Sequence, residues 1–167
     1  MSVIAGIFRL SGPPVDPADT SLKLDRLSSY RPDGEGMWCR GHTGPGHRML
    51  YTTPESLHEK LPLFDRTAES AITADARLDN RRDLIRALER KAVPGREVTD
   101  SELILAACRR WRESCVETLP GDFAFVIWWL QESGLTPAIA AELSASSTVP
   151  VAACRDERVP NGRQNSP

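Results

Sequence analysis

Eight consecutive apolar residues, Phe123 to Leu130, constrain this chain more than any other stretch. A bilayer-spanning helix needs about 20 such residues, so the run is too short to cross a membrane. It is too apolar for a surface, and Asp122 to Trp129 therefore reads as a buried strand. A buried strand needs a core around it, which 167 residues can supply as one domain. Hydrophobic residues at 40% and charged residues at 26% are ordinary globular values. The net charge of −2 gives no basic field for nucleic acid and no polybasic face for a membrane surface. The N-terminus lacks the pattern of a signal peptide, so a cytoplasmic location is expected. Cys39, Cys108, Cys115 and Cys154 show no C-x-x-C pair, and the three histidines do not join them at metal-ligand intervals. Free thiols in a reducing compartment are expected, with no metal or other cofactor.

Around this strand the sequence alternates strand and helix signals. Residues 1–10 read as a short strand with Val3, Ile4, Ile7 and Phe8 apolar. Asp16 before Pro17 is a cap and first-turn pair for a helix over 17–29, with Leu24, Leu27 and Tyr30 as its apolar stripe. Arg31 to Gly36 is a turn-rich loop, and Met37-Trp38 begins a strand. Gly41 to Gly46 forms a second turn region before a strand from His47 to Thr52. Residues 53–69 read as irregular. A short strand at Ala71 to Ala74 leads to Asn80, which is placed to cap a helix carrying Leu84, Ile85 and Leu88. Thr99-Asp100-Ser101-Glu102 fits a capping box. Leu103, Ile104, Ala107, Cys108 and Trp111 then follow at helical spacing. Beyond Trp129 the chain turns rich in Ala, Ser, Pro and Arg. Residues 130–167 read as a disordered tail after a domain at 1–129, with at most a helical turn at Ala138 to Leu143.

Six segments in order resemble a known family: Ile4 to Phe8, Tyr30 to Gly36, Gly46 to Leu50, Asp75 to Asn80, Thr99 to Leu105, and Gly121 to Trp128. They are similar to the class II glutamine amidotransferase domain of asparagine synthetases, whose kin include β-lactam synthetases and lasso-peptide cyclases. The resemblance covers about residues 3–128. It implies an α+β fold of N-terminal-nucleophile type, an αββα sandwich of two antiparallel sheets between helices, expected here to be incomplete. In active members a cysteine follows the initiator Met, its α-amine serves as base, and the thiol attacks the glutamine side-chain amide. The ammonia released then serves an ATP-using synthetase domain.

The resemblance also implies where each catalytic part should fall. The cysteine position is read as Ala5, whose methyl group cannot attack an amide. Ser2, exposed once Met1 is removed, would lie on the opposite strand face about 10 Å away. The arginine that pairs with the substrate α-carboxylate falls at Met49. Arg48 is its neighbour but projects to the other face. The oxyanion-stabilising Asn-Gly-Glu becomes Asp75, Ala76 and Arg77, and a carboxylate at Asp75 repels an oxyanion. Asp100 matches the aspartate that holds the substrate α-amine, although an acid in a first helical turn is favourable on dipole grounds alone. His47 matches the family histidine and is expected to be structural.

Resemblance is expected to stop after Trp128, as it would if residues 129–167 were frameshifted or truncated sequence. The chain contains no Ser-Gly-Gly-x-Asp-Ser loop and no Gly-x-x-x-x-Gly-Lys-[Ser/Thr] for nucleotide phosphates. Three functions follow. The first is a non-hydrolysing N-terminal domain of an asparagine synthase (glutamine-hydrolysing)-like ligase. The second is a scaffold or regulatory module that binds a separate synthetase chain or an amino acid such as glutamine. The third is a glutaminase that uses Ser2.

Overall fold

The computed structural model describes residues 2–9, 11–27, 31–66, 69–90, 95–131 and 134–142. Strands β1 (Val3–Phe8), β2 (Gly34–Met37) and β3 (Thr43–Met49) form one antiparallel sheet in the order β1-β3-β2. Strands β4 (Leu63–Asp65), β5 (Ser70–Leu78), β6 (Gly121–Gln131) and β7 (Gly134–Glu142) form a second antiparallel sheet in that order. Helix α1 (Pro17–Arg26) lies on the first sheet, and α2 (Arg81–Ala87) and α3 (Asp100–Trp111) pack beside the second. The result is the expected mixed fold, with two antiparallel sheets stacked between helices.

Helix α1 begins as its sequence dictates. Asp16 accepts the Ala18 N–H at 2.9 Å, and Pro17 occupies the first turn. The helix stops at Arg26 rather than reaching 29, and its buried face is Thr20 and Leu24, with Leu27 47% exposed. Tyr30 lies outside the described residues. The cause is in β3. A Cβ at Gly44 would stand 2.6 Å from Thr20 Oγ1, and one at Gly46 would stand 2.6 Å from Leu24 Cδ1. These glycines therefore flatten a strand for the helix to lie on, and the expected turn over 41–46 shrinks to its first residues. Arg40 and Thr43 close that turn with paired bonds of 2.9 and 3.1 Å. Pro45 is tolerated in a central strand because its nitrogen faces the end of β2, where only the bond from Trp38 N–H to its carbonyl remains, at 3.0 Å. Strand β2 also starts earlier than expected, inside the glycine-rich loop. The 53–69 segment is less irregular than read, holding a 3₁₀ turn at Glu55–His58 and β4.

The main core lies between the second sheet and α2 and α3. Ile72, Ala74 and Leu78 of β5 and Phe123, Phe125 and Ile127 of β6 point to this side, against Leu84 of α2 and Leu103, Ile104, Ala107 and Cys108 of α3. Trp111 is only partly buried at its edge. The capping box forms as expected: Thr99 N–H donates to Glu102 Oε2 at 3.0 Å, and Glu102 N–H donates to Thr99 Oγ1 at 3.4 Å. Thr99→Ala should lower stability by about 1 kcal/mol, measured by urea unfolding.

Two expectations are corrected here. Cys108 and Cys115 are joined as a disulfide, because the end of α3 and the following 3₁₀ turn, Arg112–Thr118, bring their Cα atoms to 5.0 Å. Cys39 is a free thiol and Cys154 lies outside the described residues. The helical turn expected at 138–143 is instead strand β7, pairing along β6 from Phe123 to Gln131. A long apolar strand with an unpaired edge is unfavourable, and β7 covers it. Strand β6 runs to Gln131 and β7 to Glu142, past residue 129, while residues 143–167 of the expected tail lie outside the described ones. Among the described residues no helix is long and apolar enough to cross a membrane.

Candidate functional site

Strand register decides which side chains meet. Ala5 lies opposite Gly46, whose Cβ direction runs into Leu24 of α1. Val3, Ala5 and Ile7 therefore face the helix. The other face of β3 carries Thr43, Pro45, His47 and Met49 and looks toward the second sheet. Across that gap His47 Nδ1 lies 2.9 Å from Thr73 Oγ1 of β5. The sequence reading put Ala5 and Met49 in one site; the structure puts them on opposite faces of the sheet. By the same alternation Ser2 shares the inter-sheet face with Ile4 and Gly6, and its Oγ accepts the Leu50 N–H at 3.2 Å. Of the two, Ser2 is the one beside the candidate site.

Met49 is buried, at 5% exposure, and offers no charge to a carboxylate. Arg48 projects to the α1 side as expected, with Nη2 2.7 Å from Asp25 and 3.6 Å from Glu35. Asp75 follows Thr73 by two residues on β5 and shares its inter-sheet face. Ala76 points the other way and packs against the core. Arg77 is exposed, with Asp79 and Asp122 each at 3.5 Å. The Asp75-Ala76-Arg77 triplet is therefore split over both faces of the strand. His47 is buried, and burial pushes its pKa down to about 4, so the ring is neutral at ordinary pH. Its Nδ1 contact with Thr73 bridges the two sheets.

Asp100 is 4% exposed at the start of α3, and its Oδ2 accepts the Leu78 N–H at 3.3 Å. Its other oxygen pairs with the Arg81 guanidinium, which also reaches Glu55 at 3.3 Å and donates to the Val98 carbonyl. Asn80 precedes α2, but its side chain does not cap the helix; it donates to the Thr118 carbonyl at 3.0 Å. Beside Asp100, Ser101 donates to Glu59 Oε1 twice, from its N–H at 2.9 Å and its hydroxyl at 2.6 Å. Burial raises the Glu59 pKa, and the Ser101 donors oppose that rise. Sequence reasoning missed Glu59 and Arg81. The only available signal was that a first helical turn leaves N–H groups needing acceptors. Nothing local names a partner 42 residues away. Among the described residues no group of three His, Cys, Asp or Glu side chains is placed to hold a metal ion.

Helices outside two stacked antiparallel sheets, with the N-terminal strand in the first, define the class: an N-terminal-nucleophile-type sandwich. The sequence places it further. The glutamine amidotransferase domain family matches residues 1–138, and the chain belongs to that family. The match extends ten residues past Trp128, where resemblance was expected to stop. The chain is similar to asparagine synthetase [glutamine-hydrolyzing] 3 of Bacillus subtilis, 29% identical over 105 residues, which is 62% of this chain and 17% of that protein. The chain thus spans about a sixth of that relative's length. Among solved structures, a glutamine phosphoribosylpyrophosphate amidotransferase from B. subtilis complexed with ADP and GMP superposes with a TM-score of 0.57 at 18% identity. That match covers 77% of this chain and 35% of the other, and it shows the fold.

Proposed function

We propose that this glutamine amidotransferase domain does not hydrolyse glutamine, and that it serves as the non-catalytic N-terminal part of an ATP-dependent, amide-forming system related to asparagine synthetase. One observation carries the reading: among the described residues the inter-sheet face offers no uncommitted cation to a substrate α-carboxylate, since Arg77, which shares the Asp75 face, is exposed and pairs with Asp79 and Asp122. Met49 is apolar, His47 is neutral, Asp75 is acidic, and Arg48 is held on the opposite face by Asp25 and Glu35. A carboxylate entering this gap would lose its hydration without a partner, which costs more than any hydrogen bond there returns.

The inactivity follows from binding chemistry rather than from Ala5, which faces α1. In this reading ATP chemistry belongs to a synthetase domain or chain, and this domain contributes a surface to it. The alternative of a regulatory module that holds an amino acid by Asp100 is weaker, because Arg81 already occupies that carboxylate.

Ammonia release from glutamine by the purified chain is the test. The expected result is release at the background rate, and no heat of glutamine binding by calorimetry. Release that disappears in Ser2→Ala would overturn the proposal and restore Ser2 as a nucleophile.

A further inference from the structure

We infer that Asp100, Glu55 and the Val98 carbonyl form a cage for a guanidinium-type cation, and that the chain keeps it filled with its own Arg81. The three acceptors come from two segments: the 3₁₀ turn at Glu55–His58, and the start of α3, where Val98 precedes the cap and Asp100 is the first residue. Arg81 meets each with a different nitrogen: Nε to Glu55 at 3.3 Å, Nη1 to Asp100, and Nη2 to Val98 O. A planar fork of donors fits three diverging acceptors, whereas a single ammonium centre cannot reach all of them at once. The cage is also enclosed. The Asp100 side chain is 5% exposed, Arg81 18% and Glu55 21%. Asp100 has little freedom to turn toward another partner, since its second oxygen accepts the Leu78 N–H.

Arg81 therefore acts as an internal competitor. An amine approaching Asp100 must displace a guanidinium that is covalently attached and always present. Its removal should convert a filled site into a vacant one selective for guanidinium over ammonium. This inference deepens the non-hydrolysing reading and rests on it only for its functional meaning.

The experiment is thermal unfolding of the natural chain, Arg81→Ala and Arg81→Lys, each with methylguanidinium or methylammonium. Arg81→Ala should melt below the natural chain. Methylguanidinium should then raise its Tm saturably, by about 3–6 °C once in tenfold excess over its dissociation constant. The natural chain should not respond, and methylammonium should do less. Arg81→Lys, which keeps the charge but not the fork, should melt between the two. If Arg81→Ala folds poorly alone, methylguanidinium should restore its circular dichroism. An equal response of natural chain and variant, no saturable response in either readout, or an Arg81→Lys that melts with the natural chain would each overturn the cage. None of these outcomes depends on ammonia release, so failure of the cage and failure of the non-hydrolysing reading are separate results.

Discussion

Acidification from neutral pH to about pH 4 should cost this protein about 3 kcal/mol of stability through His47 alone. In the unfolded chain an imidazole takes up a proton near its ordinary value of 6.5, but in the folded chain burial delays that step to about 4. Between those values the unfolded state binds a proton that the folded state refuses, so unfolding gains. The full contribution is present above 6.5, drains as pH falls, and is gone near the folded value. Glu59 works in the opposite sense. Its raised pKa lets the folded state hold a proton that the unfolded carboxyl has released, so its contribution is present below 4.5 and is lost as pH rises through the folded value. It offsets part of the His47 loss at the acid end. Urea unfolding at a series of pH values should show a steep decline in the natural chain and a flatter one in His47→Gln. The slope is the readout, because the substitution also changes packing. Parallel profiles for the two proteins would mean that His47 is not the group responsible.

Several local signals are legible in the sequence, though not the end of α1, the Asn80 side chain or strand β7, and contacts across the fold are not. The capping box at Thr99, the core stripe of α3, the cap at Asp16 and the strand at 122–129 all depend on residues within a few positions of each other. Each could be named without a structure. The glycines at 44 and 46 looked like a turn because their reason lies on another element: Leu24 and Thr20 need the space a Cβ would fill. The orientation of Ala5 depends on its register with Gly46, which no local pattern states. The site shows the same division. Met49, Asp75 and Asp100 can be named only from the places they take in the family motifs. Arg81 and Glu59, which decide what Asp100 and Ser101 can do, are supplied by long-range packing, and the Cys108–Cys115 pair depends on how α3 ends.

Gly121→Ala should destabilise the protein by about 3–5 kcal/mol. Gly121 opens β6 with φ +143, a conformation L side chains rarely adopt, and an added Cβ would overlap the Arg77 carbonyl oxygen. That oxygen is backbone and cannot swing aside like the end of a flexible side chain. Relief would require moving the β5–β6 junction, where Gly121 pairs with Leu78 and Asp79 N–H donates to Pro120 O at 2.9 Å. Leu78 N–H is also the donor to Asp100, so the shift would reach the Arg81 cage. Gly41→Ala is the control. Its φ of +56 carries the left-handed penalty, but nothing lies within 4 Å of the added methyl, so about 1 kcal/mol is expected there. A much larger drop in Tm for Gly121→Ala than for Gly41→Ala would identify the Arg77 carbonyl as the obstacle. Equal drops would assign the whole cost to backbone conformation and remove the close approach from the account.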